Sequence, residues 1–215
     1  MRMRSGGGVA VVAGLLALVS AGCGGSGSGA AGDAGATGAA PGIDPATRAA
    51  AEAAGCEITA YPAEYGALAA TPTTPAPVPS VQGEHISQWA DWGVYDVPVP
   101  EPYVIHNMSH GGVIVRLGAG VATDVRTAVV DLWSESPSLV LVEPGSEGVP
   151  AGGAVVTSWL RSMRCPAFTT SSVAALRAFR DAFRGHGIHI TNGDYPGPEP
   201  RPADLPEPAR AEADA

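Results

Sequence analysis

Pro62, Pro72, Pro75, Pro77 and Pro79 interrupt the stretch from Tyr61 to Pro79 so densely that neither a helix interior nor a central strand can form there. That stretch is expected to be an extended, irregular arm lying over a folded domain. On its N-terminal side, Gly24 to Pro41 is dominated by Gly, Ala and Ser, with Asp33 as the single charge. Such a segment buries no apolar surface and reads as a flexible tether, residues 23–43. At the other end, residues 196–215 are proline-rich and acidic and are expected to be disordered. The foldable chain is therefore about residues 55–195, one domain.

Within and just ahead of those limits the pattern is mixed. Asp44 can cap a short helix to Ala54, with Pro45 in its first turn. Ser80 to Pro102 is loop-like but aromatic, with Trp89, Trp92 and Tyr95 close together, so it should pack down on the core. Tyr103–Ile105 and Gly112–Leu117 read as β-branched strands. Thr123 can cap a helix to about Glu135, in which Val125, Val129 and Leu132 have the spacing of a buried face. Leu139–Val142 reads as a short strand stopped by Pro144, and Ala154–Met163 as another strand containing Trp159. Thr170 or Ser171 can cap a second helix whose apolar stripe is Val173, Leu176, Phe179 and Phe183, ended by Gly185-His186-Gly187. Ile188-His189-Ile190 reads as a last strand. Short mixed strands with two main helices, behind a long proline-rich arm, predict a small single-domain α+β fold.

The N-terminus carries an address. Met1-Arg2-Met3-Arg4 is basic, Val9 to Val19 is apolar, and Val19-Ser20-Ala21-Gly22-Cys23 places small residues before a cysteine. That order is a secretory signal, residues 1–22, too short to span a bilayer comfortably. Cys23 is then expected to be the lipidated residue of a bacterial lipoprotein, acylated and holding the protein on the extracytoplasmic face of the cell membrane; plain secretion with Cys23 incidental is the alternative. The net charge of −9 falls by two when the signal, with Arg2 and Arg4, is removed. So acidic a chain, without a single lysine, argues against nucleic acid or anionic lipid as partner. Cys56 and Cys165 lie at opposite ends of the folded region, and outside the cytoplasm a disulfide between them is favoured over free thiols or metal ligation.

Two of only five histidines fall in Ile105-His106-Asn107-Met108-Ser109-His110-Gly111-Gly112. On a helix or tight turn, residues four apart have Cβ atoms about 6 Å apart on one face. On a straight strand they stand about 13 Å apart. Asn107, Ser109 and the diglycine favour a compact turn, in which one ion could be shared. His85, in the aromatic loop, supplies a third imidazole. Three nitrogens suit zinc or copper, with Met108 a candidate soft ligand and Glu84 a candidate ligand or ring-orienting acceptor. The competing reading is that the histidines only brace a loop. His186 is expected to face solvent and His189 to be a core or edge residue. No complete catalytic signature is present; Ser109 as a nucleophile lacks the glycine spacing of a nucleophile elbow.

These segments together resemble the domain of unknown function 3105 family. Its His-Asn-Leu-Glu-His-Gly-Gly-like block is matched by His106, Asn107, Met108, Ser109, His110, Gly111 and Gly112, followed by Val113-Ile114-Val115. Its proline-rich lead into a histidine and a Trp-x-x-Trp-Gly-x-Tyr-like run is matched by Pro77, Pro79, His85, Trp89, Trp92, Gly93 and Tyr95. Thr157-Ser158-Trp159 and Pro198-Glu199 are similar to its later strand and closing pair, so the resemblance spans roughly residues 55–199. The family's acid between the histidines is Ser109 here, and Glu84 stands where it has a proline. The resemblance implies an envelope location and no assigned reaction. The expectation is thus a lipid-anchored extracytoplasmic domain binding a transition-metal ion through His85, His106 and His110, more a binding protein than an enzyme. The alternative is a non-catalytic envelope module whose Trp89, Trp92 and Tyr95 loop contacts a protein or cell-wall polymer.

Overall fold

A computed structural model of the chain describes residues 42–63, 68–72, 78–189 and 205–211. The expected signal peptide, Cys23, nearly all of the tether and the Pro198-Glu199 pair lie outside these residues. No helix among the described residues is long and apolar enough to cross a membrane.

The described residues form an α+β domain around a seven-stranded mixed sheet. In chain order the elements are α1 (Pro45–Ala53), β1 (Glu57–Ala60), β2 (Gly93–Val94), α2 (Glu101–Ser109), β3 (Val113–Leu117) and α3 (Thr123–Ser134). Then follow β4 (Val140–Pro144), β5 (Ala154–Ser158), β6 (Arg161–Cys165), α4 (Thr170–Phe183) and β7 (Arg210–Ala211). The strand order is β1-β6-β5-β3-β4-β2-β7. β3 pairs parallel with β4 and antiparallel with β5, which makes it the central strand.

All five residues of β3 are buried, because both faces of the sheet are covered. Val113, Val115 and Leu117 point to the face packed by α1, α3 and α4, against Val129, Leu176 and Phe179. Ile114 points to the other face, against Val104, Ile105 and Met108 of α2 and against Trp92 and Trp159. This alternation sends the α2 side of the sheet toward the histidines.

The largest correction to the sequence reading is α2, since Tyr103–Ile105 is helix and not strand. Pro100 is its N-cap, Pro102 lies in the first turn, and Glu101 adds an acid at the positive end of the helix. A nine-residue helix is marginal alone. Here the burial of Val104, Ile105 and Met108 outweighs the modest helix propensity of the β-branched pair. The expected strand Ala154–Met163 is a hairpin, β5 and β6, turned at Trp159-Leu160. Leu160 takes a left-handed φ of 63°, unusual for a side chain of this size, while its N–H donates to Val81 O at 2.9 Å. Ala122, not Thr123, is the N-cap of α3, and Thr169 precedes α4 with its N–H donated to Ser172 Oγ at 3.1 Å. Ile188 and His189 lie in a turn instead of a strand. Part of the expected disordered tail is built into the sheet: Leu205 is buried, and β7 pairs antiparallel with β2.

Asp44 caps α1 as expected, accepting from Thr47 N–H at 2.9 Å. Cys56 and Cys165 form the favoured disulfide, with Cα atoms 4.2 Å apart. Glu57 pairs with Arg164 in the β1–β6 ladder, so the bridge sits at the next position and fastens the edge strand to its neighbour.

Candidate functional site

The His-Gly-Gly sequence is a helix stop. Gly111 N–H donates to Met108 O at 2.9 Å and Gly112 N–H to Asn107 O at 2.9 Å, the paired bonds of a Schellman motif. Gly111 supplies the required positive φ, 82°. Gly112 must lack a side chain for another reason: a Cβ there would stand 2.7 Å from Asn107 O and 2.7 Å from the Trp92 ring. The stop leaves His106 in the last turn of α2 and His110 as its C-cap, so the two rings stack one above the other with centroids 4.7 Å apart. The helical geometry weighed for this pair is the one found.

Asn107 fixes the aromatic loop onto this helix. It is fully buried inside α2, not in a turn. Its Oδ1 accepts from Ala90 N–H at 3.0 Å and its Nδ2 donates to Ala90 O at 2.8 Å, as a neighbouring peptide group would. That clamp brings Trp89 edge-on to both His106 and His110, at 5.1 and 4.8 Å between centroids. The same loop carries His85, whose ring lies 5.3 Å from that of His106. The three imidazoles singled out in the sequence therefore converge. A fourth joins them: His189 lies 5.2 Å from His110 and 6.3 Å from His85. Its isoleucine-flanked context gave no sign of this. His186 is exposed, as expected.

Hydrogen bonds define the ring states. His85 Nδ1 lies 3.0 Å from Gly83 O and His106 Nδ1 lies 2.6 Å from Ile86 O. A carbonyl only accepts, so both rings carry their proton on Nδ1 and a lone pair on Nε2. His110 Nε2 lies 2.8 Å from His106 Nε2 and so must donate to it. Among the described residues, His85 Nε2 and His110 Nδ1 are buried without a hydrogen-bond partner. Carbonyl oxygens thus take the ring-orienting role considered for Glu84. Burial lowers the pKa of His106 from 6.5 to about 4, the Ile86 carbonyl opposing. Burial first, and His106 next, lowers His110 to about 4 as well. His85 is lowered, chiefly by burial. Among the described residues, no group of three or more His, Cys, Asp or Glu side chains is placed to hold a metal ion.

Other candidates are displaced by the packing. Met108 lies in the hydrophobic cluster with Ile105 and Ile114. Ser109 Oγ donates to His106 O at 2.7 Å, so its hydroxyl is committed to the helix backbone and not to an imidazole. Trp89, Trp92 and Tyr95 are buried and offer little surface to a partner.

Behind α2 lies a buried ionic group that sequence reading missed. Arg116 Nε pairs with Glu143 Oε1 at 2.8 Å, its Nη2 with Glu101 Oε1 at 3.1 Å, and its Nη1 donates to Thr157 Oγ1 at 2.9 Å. Glu143 also accepts from Val99 N–H at 2.6 Å. Burial raises Glu143 from 4.5 to about 7, Arg116 opposing.

These shifts set an acid response. Between about 6.5 and 4 the unfolded chain binds protons at His106 and His110 that the folded chain refuses, so stability falls with pH there. Glu143 acts oppositely between 4.5 and about 7, because the folded state binds its proton first. From these three groups alone, two imidazoles against one carboxyl leave a net loss of up to about 1.4 kcal/mol per pH unit on acidification, and the lowered His85 adds to it. Urea midpoints from pH 7 to 4.5 should decline. A flat or rising profile would mean that the rings are not held neutral.

The comparisons with known proteins are sparse. No curated protein and no solved structure matches the chain. One family does match, described as protein of unknown function (DUF3105), over residues 70–187. That span covers more than half of the chain and contains His85, His106 and His110, with His189 just past its end. The chain belongs to the family of proteins of unknown function DUF3105.

Proposed function

We propose that this domain binds one transition-metal ion, Zn(II) or Cu(II), through His85, His106 and His110, on the outer face of a cell membrane to which Cys23 is lipid-anchored. The observation that carries the metal reading is the pair of buried nitrogens, His85 Nε2 and His110 Nδ1, that have no partner among the described residues and lie within a cluster of imidazoles. A buried polar atom without a partner costs about 1–3 kcal/mol, and a ligand removes that cost. The backbone carbonyls on His85 and His106 Nδ1 are the kind of acceptor that turns Nε2 toward an ion.

Spacing supports the same reading. Two imidazoles bound to one tetrahedral ion at about 2.0 Å have ring centroids roughly 5 Å apart. The centroids of His85 and His106 are 5.3 Å apart and those of His106 and His110 4.7 Å. Coordination requires the rings to rotate and the His106–His110 hydrogen bond to break, since the donors share no common point among the described residues. An all-nitrogen set, with Met108 in the core, favours Zn(II) or Cu(II) over Cu(I). The anchor rests on Ser20-Ala21-Gly22-Cys23 after the apolar stretch. Recovery of the chain with membranes, lost in Cys23→Ser, tests it.

Calorimetric titration of the chelator-stripped, disulfide-intact protein with Zn(II) and Cu(II) tests the site. One equivalent should bind. Changes to groups that merely orient a ligand cost about 10–100-fold in affinity. His106→Ala and His110→Ala, checked for folding by thermal melts, should each cost at least about 100-fold. X-ray absorption of the loaded wild type should show imidazole scattering. Absence of saturable binding by folded wild type, or affinity unchanged in both variants, would overturn the reading.

A further inference from the structure

We infer that His189 is a fourth ligand of this ion, delivered by a strap of chain, residues 185–189, that closes the mouth of the site. The inference rests on the metal reading above and concerns a residue outside the span matched by the family.

The strap is fastened to the very turn that carries His110. Gly185 N–H donates to Gly111 O at 2.9 Å, and His189 N–H donates to Ser109 O at 3.0 Å. Between them, Gly187 lies flat on that turn: a Cβ there would stand 2.2 Å from Ser109 O and 2.4 Å from Gly111 N. Only glycine permits so close an approach. Upstream, Phe183 at the end of α4 is buried in the core, so the strap leaves from a fixed point.

Docked this way, His189 completes a closed circuit of four rings. Successive centroid separations are 5.3 Å (His85–His106), 4.7 Å (His106–His110), 5.2 Å (His110–His189) and 6.3 Å (His189–His85). Three of the rings are buried and His189 is exposed. The exposed imidazole is the ligand that can leave and return while the other three stay in place, so it guards the route by which an ion enters. Four imidazoles also shift the preference toward Cu(II), which accepts tetragonal nitrogen ligation, and away from the three-nitrogen Zn(II) site with an open position.

The test is electron paramagnetic resonance and competition titration of the full chain with one equivalent of Cu(II), comparing wild type, His189→Ala and His186→Ala. His189 and His186 are both exposed, so neither change threatens the fold. His189→Ala should weaken Cu(II) by at least about tenfold and remove one nitrogen coupling from the spectrum. It should also speed transfer of Cu(II) to an added chelator, while His186→Ala behaves as wild type. If His189→Ala matches wild type in affinity and spectrum, His189 is no ligand, and the three-histidine reading stands. An equal loss in His186→Ala would also overturn the assignment, since it would trace the effect to the strap as a whole. If wild type binds no Cu(II) or Zn(II), the metal reading itself fails and this inference falls with it.

Discussion

Arg116→Leu should lower the unfolding free energy by about 3–5 kcal/mol, the usual cost of removing one partner of a buried ion pair. Arg116 is 1 % exposed and Glu143 3 %, so water cannot replace the lost cation. Glu143 would remain buried against Val99 N–H with no positive neighbour, and Glu101 and Thr157 would each lose a bond. Urea denaturation above pH 8, where Glu143 is ionised beside Arg116 in the folded wild type, measures the loss. The double change Arg116→Leu with Glu143→Leu should recover part of it, because an apolar pair often replaces a buried ionic one at little net cost. The unrecovered part is the Val99 N–H left without an acceptor, about 1–3 kcal/mol. A cost below about 1 kcal/mol for Arg116→Leu alone would show that the pair is not closed in solution.

Removing the disulfide should cost about as much. Cys56 and Cys165 are 109 residues apart, and closing a loop of about 100 residues is worth roughly 4.7 kcal/mol in the chain-entropy account. The bridge also holds the edge strand β1 in register with β6. Cys56→Ala with Cys165→Ala should therefore shift the denaturation midpoint strongly downward. Against a total stability of about 5–15 kcal/mol, either loss is at least about a fifth of the stability of a small domain. A difference under about 1 kcal/mol between the oxidised protein and the double variant would place the stabilisation elsewhere.

The helices with one buried face were legible in the sequence and the fully embedded one was not. Val125, Val129 and Leu132 announce α3 at helical spacing, and Leu176, Phe179 and Phe183 announce α4. In α2 the residues from Val104 to Ser109 are all buried, so no polar face remains to reveal the period. The hairpin at Trp159-Leu160 was hidden because its left-handed residue is a leucine, which packs into the α2-side cluster, and not Gly or Asn. The disulfide could be read from two cysteines at opposite ends of the folded region, behind a segment expected to be an export signal. His106 and His110 could be read from their spacing, and His85 from its place in the aromatic loop. His189 could not, because its position depends on the docking of Gly187 against a turn far away in sequence. The Arg116 network was equally silent, since one arginine in an apolar strand names neither of its acidic partners.

The rings of the cluster arrive from three separate stretches: the loop ahead of β2, the end of α2, and the chain beyond α4. An extended polypeptide offers only the pair four residues apart, and offers it only where a helical turn has formed. On the proposed metal reading, nascent chain would thus capture cations poorly and the finished tertiary structure would capture them well. Occupancy would then act as a latch on the native state, adding about 2.7 kcal/mol when free ion stands at a hundred times its dissociation constant. That increment would be felt most by a molecule whose thiols had not yet been oxidised.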